Sequence, residues 1–119
     1  MSGDNITNYS YEPNNITDWT ALWVTNEGLV LPGAKALVRK DPTGQRLIEW
    51  LDSLLYGPAK ARVTNAQARN NLTVYADSKA RDALQDIDGP VLAAKVRKAT
   101  ISSAHTVRAK ELGVWPEGI

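Results

Sequence analysis

The stretch DPTGQRLIEWLDSLLYGP, residues 41–58, sets the architecture of the chain. Leu47, Ile48, Leu51, Leu54 and Leu55 recur at i, i+1, i+4, i+7 and i+8, which places them on one side of a helix. Trp50 widens that stripe. Asp41 is a good N-cap, and Pro42 would follow at the first helical position, where its missing N–H costs nothing. Gly57 followed by Pro58 is a stop signal. The pattern predicts a helix over 42–56 about which the rest of the chain packs.

Working outward toward the C-terminus, the signals are again mostly helical. Thr64 is placed to cap a short helix through Arg69, broken by Asn70-Asn71, and 72–76 reads as a short strand or extended segment. Asp77 is placed to cap a helix carrying Ala80, Leu84 and Ile87, closed by Gly89-Pro90. Val91, Leu92, Val96 and Ala99 have helical spacing over 91–100. Ser102 or Ser103 then caps a last helix with Ala104, Val107, Glu111 and Leu112, ended by Gly113, after which Trp115 is free to dock on the core.

Toward the N-terminus the pattern is ambiguous. Pro32-Gly33 reads as a break. Thr17 or Asp18 could cap a short helix with Trp19, Leu22 and Trp23, or the same residues could pair with 28–31 as a hairpin across 26–28. Residues 1–16 are dominated by Asn, Ser, Thr, Gly and Pro, and Ile6, Tyr9, Tyr11 and Ile16 follow no period. A segment of this kind does not offset its ordering entropy by burial, so it reads as an extended arm in front of one globular domain, 17–119. The expected fold is mainly α, a compact helical bundle around 42–56. The alternative is α+β, with a small two- or three-stranded sheet from 20–24, 28–31 and 72–76.

Composition narrows the chemistry. With 119 residues the chain is one domain by size, and it has no Cys and no Phe. Lacking Cys removes disulfides, thiolate metal sites and thiol catalysis. His105 is the sole histidine, so a His-pair metal site cannot form within one chain. Ser102 and Ser103 lie beside it, but both fall where a helix N-cap is needed and no nucleophile elbow surrounds them. Asp82, Asp86 and Asp88 lack the loop spacing of a hard-cation site and read as solvated surface. The glycines are too scattered for a phosphate loop. No catalytic residue, metal ligand or cofactor site is expected, although carboxylate chemistry stays open. Neither a basic-then-apolar leader nor a membrane-length apolar run is present, which points to a cytoplasmic protein, or to a virion component.

Two binding readings remain. Net charge runs from −4 over residues 1–34 through +2 over 35–88 to +3 over 89–119. An acidic arm ahead of a basic domain suits a non-enzymatic assembly subunit, such as a capsid, neck or connector component, in which each arm reaches a neighbouring copy or another assembly protein. Tyr9, Tyr11, Ile16 and Trp19 would then contact the partner. The alternative is a small DNA-binding regulator using a helix-turn-helix-like pair at 90–112, with Arg97, Lys98, His105, Arg108 and Lys110 on the nucleic acid. Its turn lacks the usual Gly.

Overall fold

A computed structural model describes residues 13–75 and 83–119. The described residues are mainly helical and contain no strand. In chain order they form α1 (Pro13–Asn26), α2 (Leu31–Lys40), α3 (Gln45–Tyr56), the single turn α4 (Pro58–Ala61), α5 (Ala66–Tyr75), a 3-10 turn (Leu84–Asp86), α6 (Gly89–Lys98) and α7 (Ser103–Leu112). The strands of the α+β alternative are absent: 20–24 lies in α1, 28–31 forms a turn and the start of α2, and 72–75 lies in α5.

α3 is the central element. Leu47, Leu51, Leu54 and Leu55 are fully buried, as their spacing requires, while Ile48 lies at the edge of the core. The helix begins three residues later than the sequence suggests. Residues 42–44 form a turn, and Gly44, in left-handed backbone at φ +77°, is the N-cap. Asp41 still serves the helix, from outside it. One carboxylate oxygen accepts from the Thr43 hydroxyl and N–H, and the other accepts from Arg46 N–H at 2.8 Å. These bonds, the Thr43 hydroxyl first, hold the Asp41 carboxyl below its usual range.

α2 and α6 pack on α3, and α1 packs on α2 and α6. α2 and α6 are antiparallel: the turn before α3 rests on Gly89 at the start of α6, while Lys35, early in α2, donates from Nζ to the carbonyls of Arg97 (2.8 Å) and Ala99 at the end of α6. α1 runs alongside α6 in the same direction. The Thr17 hydroxyl oxygen accepts the Asp88 N–H at 2.8 Å across 71 positions of sequence. α7 lies against α2 with its start beside Gly28 and its end tied to the α4–α5 connection by Thr64 N–H to Leu112 C=O, 2.9 Å.

Several breaks read from the sequence are helix starts or interiors. Gly89-Pro90 opens α6, because proline gives up no hydrogen bond in a first turn, and Asp88 caps that helix by accepting from Val91 N–H. Pro32 and Gly33 lie inside α2; a Cβ at Gly33 would meet Pro116 at 2.7 Å and the Trp50 ring at 2.8 Å, so tight packing decides that position. Asn65, rather than Thr64, caps α5 by accepting from Ala68 N–H, and α5 continues through Asn70-Asn71. Ile87 sits in extended backbone after the 3-10 turn, outside any helix. The cap proposed at Asp77, with Ala80 and Asp82, lies outside the described residues.

Candidate functional site

Two surfaces follow from how the helices are seated. The first is the outer face of α1. Burial of Ile16, Thr17, Thr20, Ala21 and Val24 fixes which side of this helix faces inward. Asp18, Trp19, Leu22 and Asn26 must then face out. Leu22 is 61% exposed and Trp19 43%. Trp23, one turn from Trp19, packs at the edge of the core. The end of the helix is closed by its own side chains, with the Thr25 hydroxyl donating to Ala21 C=O (2.8 Å) and the Asn26 amide to Leu22 C=O (2.8 Å). Asp18 pairs with Lys95 of α6 at 3.7 Å.

Of the residues assigned to a partner-binding arm, Tyr9 and Tyr11 lie outside the described residues. Ile16 does not belong to an arm surface. It is buried in the first turns of α1, which starts at Pro13, because the helix needs an apolar residue one turn before Thr20. Trp19 is on the surface as expected. Leu22 was legible only as part of an apolar set. Its exposure follows from two threonines, Thr17 and Thr20, taking core positions that an apolar-only pattern does not assign to them.

The second surface carries the basic residues. Arg97 and Lys98 are exposed in the last turn of α6. His105 lies in the first turn of α7, with its ring so close to Gly28 that a Cβ there would approach Cε1 to 2.9 Å. Arg108 pairs with Glu111 at 3.6 Å, and the Lys110 ammonium stands 4.6 Å from the Trp115 ring centroid. The half-buried Trp115 donates its indole N–H to Ile119 C=O at 3.1 Å within the tail, and its ring is not among the side chains packed against the core. α6 and α7 each pack on α2, and their contact with each other is at most slight.

The serines beside His105 act structurally. Ser102 Oγ accepts from Ala104 N–H (3.1 Å) and His105 N–H (3.4 Å), capping α7. Among the described residues no three His, Asp or Glu side chains gather as a metal would require, and no helix is long and apolar enough to cross a membrane. A shallow depression of about 10 Å³, lined by Glu27, Leu29, Val30, Ala68, Leu72 and Val114, has room for one water. Burial there raises the Glu27 carboxyl above its usual range.

Comparison of the chain with protein-family models, with curated proteins and with solved structures gives no match.

Proposed function

We propose that the protein is a non-enzymatic assembly subunit whose outer α1 face, together with the segment before it, contacts another copy of the chain. The exposure of Leu22 carries this reading. A leucine held 61% in solvent beside a 43% exposed tryptophan, on a helix whose inner face is already filled, is the start of an apolar contact patch. The acidic segment at 1–34 and the basic remainder give neighbouring copies complementary charge. A capsid, neck or connector subunit is the specific form of this proposal.

Light scattering at tens of micromolar tests it. The expected mass is a multiple of 13.0 kDa, falling to one chain for Leu22→Glu with unchanged far-UV circular dichroism. Removing residues 1–12, which stops short of α1 and its core residue Ile16, should lower the mass in the same way. A wild-type mass of one chain would refute the proposal.

A further inference from the structure

α2 and α6, packed side by side and antiparallel, carry six cations between them and no carboxylate within either helix. The cations are Lys35, Arg39 and Lys40 on α2, and Lys95, Arg97 and Lys98 on α6. Such an imbalance is unusual for adjacent helices, whose exposed sides normally mix both signs. Lys95 is neutralised by Asp18. For Arg39, Lys40, Arg97 and Lys98, all exposed, no carboxylate lies within ion-pair distance among the described residues.

The seam is also polarised along its length. Asp41 and Asp88 both sit where α2 ends and α6 begins, and both are committed as caps, to Thr43 and Arg46 N–H and to Val91 N–H respectively. At the opposite end, Lys35 neutralises the carbonyls that close α6, so the negative pole of that helix is already satisfied and leaves Arg97 and Lys98 for another anion. Glu27, the acidic residue of the α1–α2 turn, is turned into the depression with Leu72 and Val114. Lys35 and Arg39 are one turn apart on one face of α2. With a rise of about 1.5 Å per residue, Lys35 to Lys40 covers about 7–8 Å of α2 and Lys95 to Lys98 about 4–5 Å of α6, and neighbouring phosphates of one strand lie within that reach.

We infer that the α2–α6 seam binds the phosphate backbone of duplex nucleic acid, without reading its sequence, through Arg39, Arg97 and Lys98, with Lys35 and Lys40 adding to the field. This site goes beyond the assembly proposal and is independent of it. It differs from a helix-turn-helix at 90–112: two of those five residues belong to it, while His105, Arg108 and Lys110 are engaged with Gly28, Glu111 and Trp115.

The test is fluorescence anisotropy of a labelled random-sequence duplex against salt, using the full chain. The wild type should bind at 50 mM salt, with log K falling linearly against log salt by about 0.9 for each phosphate neutralised. The triple variant Arg39→Gln/Arg97→Gln/Lys98→Gln should bind at least tenfold more weakly and lose about two to three from the slope. Arg108→Gln/Lys110→Gln should bind within twofold of the wild type. All three side chains of the triple variant are exposed, and an unchanged melting temperature confirms its fold. The inference is overturned if the wild type does not bind duplex at 50 mM salt. It is equally overturned if the control double variant loses as much as the triple, or if the chain binds phosphatidylserine vesicles and not duplex. Loss of self-association in Leu22→Glu with retained duplex binding separates this site from the assembly face.

Discussion

Gly44 and Gly89 meet backbone to backbone, and their substitution tests the antiparallel seating of α2 and α6 directly. A Cβ on Gly44 would lie 2.2 Å from Gly89 O, and a Cβ on Gly89 would lie 2.2 Å from Thr43 O. Carbon atoms prefer separations near 3.5 Å or more, so neither fits without moving the turn away from α6. Gly44→Ala carries a second cost because its φ is +77°. Left-handed backbone costs an alanine about 1–2 kcal/mol, and relieving the contact adds about 1–3 kcal/mol, for a total of about 2–5 kcal/mol. Gly89→Ala has no positive φ to strain and, as the first residue of α6, gains little of the helix-interior propensity of alanine, leaving a net loss of about 1–3 kcal/mol. Because both substitutions displace the same contact, the double variant should be less destabilised than the sum, by about 0.5–2 kcal/mol. Gly44→Asn separates the two terms, since Asn tolerates the left-handed region but still carries the Cβ. Urea unfolding followed by tryptophan fluorescence, at constant m-value, measures all four variants. A neutral or stabilising Gly89→Ala, or strict additivity in the double variant, would refute the close approach.

Two further outcomes follow from single side chains. Burial holds the Glu27 carboxyl above its usual value in the folded state, so folding favours the protonated form; the cost of ionising it is absent below the unfolded value of 4.5 and sets in as pH rises through the folded value. Glu27→Gln should therefore raise the melting temperature at pH 7 and leave it almost unchanged at pH 3.5; an equal gain at both values would contradict a desolvation origin. Ser102→Ala should cost about 1 kcal/mol by uncapping α7 and Ser102→Gly only a few tenths, with denaturant midpoints as the readout; equal losses would show that the hydroxyl bonds to Ala104 and His105 N–H contribute little.

The parts of the fold that were legible are those in which one periodic apolar stripe does all the packing. α3 is the clearest: its leucines lie where the spacing puts them, and Gly57 ends it as its C-cap. α7 was equally clear at its ends, with Ser102 and left-handed Gly113, but not in its face. Ala109 and Leu112 are buried, while Val107 is 58% exposed. The weak periodicity of a helix that touches the bundle with one edge does not determine which apolar residue faces in. α1 was harder because Thr17 and Thr20 are core residues. The partner of Thr17, the Asp88 N–H, is 71 positions away and leaves no local trace in sequence.

Proline–glycine pairs are ambiguous in sequence for a related physical reason. Proline is excluded from a helix interior by its missing N–H, yet it is favoured in the first turn, where that donor has no intrahelical partner. Gly57-Pro58 does both at once, closing α3 and opening α4, whereas Gly89-Pro90 only opens α6. The deciding factor lies outside the dipeptide. Asp88 caps the following turn, and Gly89 must pass against Thr43 O, so the pair marks a start. The same seating determines the candidate surfaces. Once Thr20 fills the core, Leu22 must face solvent; once α6 lies antiparallel on α2, Lys35 is spent on the α6 carbonyls and Arg97 and Lys98 are left without a carboxylate in their own or the neighbouring helix. The basic character was visible along the chain, but the pairing of α2 with α6 that gives it a face is a tertiary fact.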